Sequence, residues 1–466
     1  MKFSFLKILT ALLPVFILQA QSIAQETTTA KALSLKQAQE YALLNNAEAK
    51  NSILDLELAK KQIWETTAIG LPQLNAQANY QHLFTVPELS LGGTTFLTTD
   101  LNPGTPITSD NINNGDVSLG FTPSAPIQLG VKDNTTLDIT LTQLVFSGEY
   151  LVGLQASKVF YMMSDQSRIK TELDLKEAVS NTYSLVLVLE QSKITLEQSL
   201  ENLNKTLAEM REMYNQGFIE NTDVDQIELT MLTVTNSVNS INRQVSTTKD
   251  LMKFQLGMPF ENELVLTDSL GSIAGNITME SVMAKSFNVN QNINFQILET
   301  QEKLGILSLK REKSTYLPNL AAVYRHSEKV NQPAFDFTPK DVFQLSMNIP
   351  IFSSGQRNVK VQQRQLELNK IVNIKDNIAN GLKLDYNNAL NEMTTAYENY
   401  LNNQKNIELT SRIYEKTLIK YKEGLSTSLD LTNVQNQYLR AQGDYYTAVY
   451  TLISTKNKLD KLTNNL

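Results

Sequence analysis

The sequence predicts a mainly α-helical chain with a smaller share of β-strand, laid out twice on one plan. Three observations predict it. Two stretches, Gly148 to Tyr214 and Gly355 to Tyr421, contain no proline, and four short segments alternate apolar and polar residues with the period of two that marks a strand. Landmarks also recur in the same order: Tyr214-Asn215-Gln216-Gly217-Phe218 with Asp223-Val224 returns as Tyr421-Lys422-Glu423-Gly424-Leu425 with Asp430-Leu431, 207 positions on (217 to 424).

The chain opens with Lys2 and Lys7, an apolar run from Ile8 to Leu18 and small residues before Gln25, the layout of a secretory signal peptide over 1–24. The run is shorter than the roughly 20 residues a spanning helix needs, and Pro14 interrupts it. The first repeat is expected over 25–267. Its first helix, 35–69, opens at a Ser34/Gln37 capping box and stops at Gly70 before Pro72. Strands follow over 73–84 and 135–146, with Leu74, Ala76, Ala78 and Tyr80 on one face of the first and Leu137, Ile139 and Leu141 on one face of the second. Between them lies a Gly/Pro/Thr/Asn-rich loop, 85–134, either a disordered excursion or an ordered lid. A long helix, 148–215, ends at Gly217; another, 222–256, is capped by Asn221 or Thr222 and ends at Gly257 and Pro259.

The second repeat, 268–466, keeps that order. A helix over 279–316 stops before Pro318, strands cover 319–326 and 342–351, and a helix over 355–422 ends at Gly424. A last helix, 428–464, takes Ser428 as its cap. Leu71-Pro72 and Leu317-Pro318 are 246 positions apart (72 to 318), so the first half carries an insertion, and the long loop is where it falls.

Composition narrows the function. The 41 Lys+Arg against 48 Asp+Glu leave a mild acid excess without a basic block, which argues against nucleic acid as a partner. Without cysteine there are no disulfides, thiolate metal sites or cysteine nucleophiles. His82 and His326 have no companion at metal-ligand spacing and read as rim residues, and Trp64 reads as a packing residue near the helix-to-strand junction. No nucleophile elbow, phosphate loop or zinc signature occurs, so no catalytic residue, cofactor or metal is expected.

Half-apolar strands fit a soluble sandwich or a barrel wall in lipid. Four strands cannot close a barrel, and lipid does not tolerate unpaired edges, so the membrane reading requires several chains to share the wall. Three copies would supply twelve strands. The long helices carry apolar residues at coiled-coil spacing, such as Ile169, Leu173, Val179, Tyr183, Val186 and Leu189, and so must pack laterally against others like themselves.

The duplicated order of helix, Leu-Pro strand, Phe-x-Gly junction (Phe146-Ser147-Gly148, with Phe352 to Gly355 in the second half), long helix and Tyr-x-x-Gly turn followed by Asp resembles the TolC-like outer membrane factor family, over essentially the whole chain after residue 24. The resemblance implies a homotrimer whose twelve-stranded transmembrane β-barrel sits in outer membrane lipid and continues into a long α-helical barrel in the periplasm. It implies a passive exit duct for a tripartite efflux pump or a type I secretion system, not an enzyme. Its partners would be a periplasmic adaptor (membrane fusion) protein and an inner-membrane pump of the resistance-nodulation-division or ABC type.

Within that resemblance, Gly217, Phe218, Gly424 and Leu425 are the tips that contact the adaptor, and Asp430, Asp223, Tyr421 and Asn433 form the periplasmic gate. Tyr421 matches a family tyrosine that latches the closed mouth, Asp223 sits where its partner would be, and Asp430 matches an acidic ring. Ser426 stands where some members place a latch arginine and Asn433 where some place a second acidic ring, which implies a looser, less cation-selective gate. The same residues have plainer readings: glycines as helix stops, aspartates as favourable charges at helix N-termini, Tyr214 and Tyr421 as packing groups. The other functional class left open is a secreted or periplasmic coiled-coil scaffold or adhesin with a soluble strand region.

Overall fold

The computed structural model describes residues 31–89, 92–124, 126–283, 287–332 and 336–465; the expected signal peptide lies outside the described residues. The elements run β1 (Lys31–Leu33), α1 (Leu35–Asn45), α2 (Ala47–Ala68), β2 (Gln73–His82), β3 (Glu88–Leu89), β4 (Gly93–Thr99), α3 (Ser109–Asn113), β5 (Val117–Pro123), β6 (Ile127–Gln128), β7 (Asp133–Phe146), α4 (Gly148–Asn215) and α5 (Asn221–Leu256). They continue with β8 (Leu264–Leu266), α6 (Leu270–Gly275), α7 (Met279–Met283), α8 (Ile293–Ser314), β9 (Asn319–Lys329), β10 (Asp341–Asn348), α9 (Gln356–Lys422) and α10 (Ser428–Leu462). Two compact units divide the chain. One takes Asn51–Lys170 and Asn288–Asp385; the other takes the segment up to Lys50, Thr171–Phe287 and everything from Tyr386.

The first of these units holds the main sheet, antiparallel in the order β10-β9-β7-β2, so the two sequence halves meet where β7 pairs with β9. Register sets its faces. Leu74 lies opposite Leu141, Ala76 opposite Ile139 and Ala78 opposite Leu137, while Tyr324 pairs with Phe343 and Ala322 with Leu345. Because strand side chains alternate, these residues share one face, and Gln77, Asn79, Asp138, Arg325, Gln344 and Ser346 share the other. The apolar face is bare: Phe343 is 71% exposed and Leu345 and Met347 are also exposed. Both sheet edges, β2 and β10, are without a strand partner among the described residues.

One end of this face carries the same cluster twice. His82 Nδ1 lies 2.6 Å from Asp133 Oδ1, which also accepts from the Tyr80 hydroxyl at 2.8 Å. His326 Nδ1 lies 2.7 Å from Asp341 Oδ1, which accepts from Tyr324 at 2.7 Å. Both histidines therefore tie paired strands together where the loops begin. The described residues of segment 85–134 form two short antiparallel strand pairs, β4 with β5 and, enclosing them in sequence, β3 with β6, together with α3. Trp64 is exposed, not a packing residue as expected.

The helix expected over 35–69 is two helices. The Ser34/Gln37 box closes at its start, with Ser34 N donating to Gln37 Oε1 at 2.9 Å. Asn46 then leaves helical geometry and caps α2, its Oδ1 accepting from Glu48 N at 2.8 Å. The helix expected over 279–316 is likewise divided, into α7 at its expected start and α8 from Ile293. Asn288 and Asn292 each bind the amide two residues on, at 3.0 Å, turns that compete with helix. The caps also shift by one residue: α5 is capped by Glu220 rather than Asn221 or Thr222, and α10 by Thr427 rather than Ser428.

In the helical unit β1 and β8 pair in parallel, a contact absent from the sequence reading. Beside them Tyr183 is fully buried, its hydroxyl donating to Leu33 O at 3.0 Å. A separate core, of Leu207, Met210, Val224 and Ile227 with Tyr414 and Leu431, locks the α4–α5 hairpin against the α9–α10 hairpin. Each such apolar side chain is worth about 1.5–3 kcal/mol when fully buried, so this core holds the two turns in place.

Candidate functional site

The site is the pair of helical turns above that core. Gly217 takes φ +79° and Gly424 φ +74°, the left-handed region open to glycine, and a Cβ on either would meet nothing within 4 Å. The turns close alike. Gly217 N donates to Tyr214 O at 2.9 Å and Phe218 N to Met213 O at 2.9 Å; Gly424 N donates to Tyr421 O at 3.0 Å and Leu425 N to Lys420 O at 2.8 Å. Each turn pushes one apolar side chain into solvent, Phe218 at 72% and Leu425 at 77% exposure.

An aspartate follows each turn at the third helical position and accepts from the cap backbone: Glu220 N to Asp223 at 3.1 Å, Thr427 N to Asp430 at 3.1 Å. Beyond that the two differ. Asp223, half-buried, also accepts from the Ser428 hydroxyl of the other hairpin. Asp430 is exposed and is held by its own turn, accepting from Thr427 Oγ1 at 2.7 Å and Ser426 Oγ at 3.4 Å. The Thr427 hydroxyl and then its backbone N–H hold the Asp430 carboxyl below the usual carboxylate range. Asn433 is exposed one turn further along α10.

Tyr421 is 7% exposed, and its hydroxyl has no hydrogen-bond partner among the described residues. Burial, and then the charge of Asp223, push its ionisation up to about 12. Tyr421 and Asp223, expected as a bonded pair, are therefore near enough to interact electrostatically but not hydrogen-bonded to each other. At the turns the ties between hairpins come instead from Ser428, read from the sequence only as a helix cap, and from Lys422 Nζ, 2.9 Å from Glu209 Oε2. Lys422 and Glu209 sit on different helices, so no local spacing marks the pair. No group of three or more His, Asp or Glu able to hold a metal occurs among the described residues.

Residues 310–465 match the family model described as outer membrane efflux protein. In fold the chain is similar to solved outer membrane channels. Vibrio cholerae VceC aligns with TM-score 0.67 at 13% identity, covering 92% of this chain and 95% of that one. The Campylobacter jejuni CmeC outer membrane channel gives 0.70 at 14%, covering 95% and 90%. The open state of the Neisseria gonorrhoeae MtrE outer membrane channel gives 0.66 at 14%, covering 92% and 88%. The family match takes in the chain from the end of α8 onward, and the solved channels extend the likeness of fold to nearly the whole chain. No curated protein matches the chain. No helix among the described residues is long and apolar enough to cross a membrane, which says nothing of the strands.

Proposed function

We propose that three copies of this chain share one barrel wall and form a passive exit duct, fed by an inner-membrane pump through a periplasmic adaptor. The observation that carries the reading is the four-stranded sheet, apolar and bare on one face and, among the described residues, unpartnered at both edges. Acyl chains can solvate such a face, but open edges in lipid leave backbone groups without hydrogen bonds. Pairing β10 of one copy with β2 of the next, three times round, satisfies both demands with twelve strands. A soluble sandwich would instead need a second sheet over this face, and the exposure of Phe343 and its neighbours speaks against it.

The turns then serve as the periplasmic mouth. Gly217, Phe218, Gly424 and Leu425 meet the adaptor, since open space and exposed apolar side chains favour contact with a helical partner. Asp430, with Asp223 and Asn433 near it, lines the constriction and favours cations. Tyr421 acts as a latch when its unpartnered hydroxyl finds an acceptor across the closed mouth. Nothing in the sequence couples energy, so the drive comes from the pump, of the resistance-nodulation-division or ABC type. The test is extraction: the protein should leave outer membranes only with detergent, carry three chains per particle by light scattering and conduct in planar bilayers. Recovery from plain buffer as a single chain would overturn the proposal.

A further inference from the structure

The polar face of the main sheet carries little charge along its strands. On β2 every residue of that face is an amide, from Gln73 through Gln77 to Gln81, and Thr136, Thr140 and Gln344 continue it on β7 and β10. At the loop end of β9, Lys329 shares the face with Thr136, and Asp336 neutralises it with both carboxylate oxygens, at 2.8 and 2.9 Å. That leaves Asp138 on β7 and Arg325 on β9 as the charges in the body of the sheet.

Register brings these two together where the sequence halves meet. Asp138 lies opposite Ser327 and Arg325 opposite Thr140, so they are diagonal neighbours. Such neighbours stand about 7–8 Å apart, within reach of a long side chain. Even so, neither side chain makes an ion pair or hydrogen bond among the described residues. On their other sides Asp138 faces Gln77 and Arg325 faces Val342, so no further charge opposes either one. Arg325 is exposed and Asp138 half-buried, and both present their charge to whatever fills the space over this face.

We propose that Asp138 and Arg325 are the residues that set charge selectivity in the barrel section, a ring of three carboxylates alternating with three guanidinium groups. The inference rests on the duct reading: if the apolar face meets lipid, the polar face lines the bore, and three copies supply the ring. Twelve strands about 4.8 Å apart and tilted about 40° make a cylinder about 24 Å across at the backbone, so the axis lies within about 10 Å of the side-chain charges. That is one screening length at about 0.1 M salt, so the ring acts on everything that passes. Equal and opposite charges give no preference of sign, so the barrel admits cations, anions and dipolar solutes alike and leaves any preference for cations to Asp430.

The test is the reversal potential in planar bilayers under a potassium chloride gradient, with Asp430→Ala as the background so that the mouth carries less charge. Arg325→Gln should raise the ratio of cation to anion permeability by about threefold or more, Asp138→Asn should lower it by as much, and the double variant should return it to the background value. Arg325→Lys keeps the charge in place and should change nothing. Shifts of opposite sign that cancel are not what a folding defect produces. A wild-type protein that conducts nothing overturns the duct reading and this inference with it. A conducting channel whose reversal potential ignores both single substitutions, moves the same way with each, or stays displaced in the double variant overturns this inference alone.

Discussion

Removing one hydroxyl, at Ser428, tests whether the two turns are pinned to each other within one chain. Ser428 is buried; its Oγ donates to Asp223 Oδ1 and has Gln226 Oε1 3.4 Å away. Ser428→Ala spares the start of α10, because the cap is Thr427, whose Oγ1 accepts from Asp430 N at 3.1 Å, and alanine suits the first helical position. What is lost is the bond across the hairpins, leaving Asp223 with the Glu220 amide alone. A hydrogen bond to a charged group is worth about 1.5–3 kcal/mol. Asp223 is only half-buried and water recovers part of that, so the lower end applies, about 1.4 kcal/mol or a factor of about ten in local opening. Amide hydrogen exchange on the purified protein reads this directly. Exchange in the first turns of α5 and α10 should speed up about tenfold, with the β-sheet amides unchanged. Unaltered exchange in the first turn of α5 would refute the reasoning, since the bond would then hold nothing.

Three further outcomes follow from the same turns. Asp430→Ala should weaken block by multivalent cations in planar bilayers; unchanged block would remove Asp430 from the constriction. Thr427→Ala should return the Asp430 carboxyl toward its ordinary value, followed by NMR titration. The folded turn favours the ionised carboxylate, so its contribution is present above the ordinary carboxylate range and fades as pH falls through the lowered folded value, and in Thr427→Ala the contribution should be smaller and its loss complete at higher pH. Gly217→Val or Gly424→Val meets no clash and costs about 1–2 kcal/mol through backbone strain at positive φ, so trimers should survive while adaptor crosslinking is lost; normal drug export in cells would count against those turns as the contact.

The repeated plan was legible because its signals are local. Proline-free stretches, Gly217 and Gly424 as stops, and the alternation through Leu74 to Tyr80 each need only a few neighbours to be read. The break at Asn46 needs a distant one. The residues around it favour helix, but Asn46 Nδ2 donates to Gln255 O at 2.8 Å, and a Cβ on Gly257 would come within 2.5 Å of Asn45 O. The chain bends where two backbones cross, and nothing between residues 47 and 254 announces it. The pairing of β1 with β8 is hidden for the same reason, two three-residue strands far apart in sequence.

The site shows why a repeat in sequence is not a repeat in role. Asp223 and Asp430 occupy equivalent positions, and each accepts the amide of its own cap. The hydroxyl that reaches Asp223 comes from Ser428, whose counterpart in the first hairpin is Asn221, and Asn221 instead binds Asp225 in its own helix at 3.0 Å. Within one chain only one hairpin has its aspartate answered by the other, so Asp430 keeps its charge toward solvent while Asp223 spends part of its charge on an internal contact. Which of the two aspartates keeps its charge toward solvent thus follows the Asn-for-Ser difference between the copies, which the matching landmarks conceal.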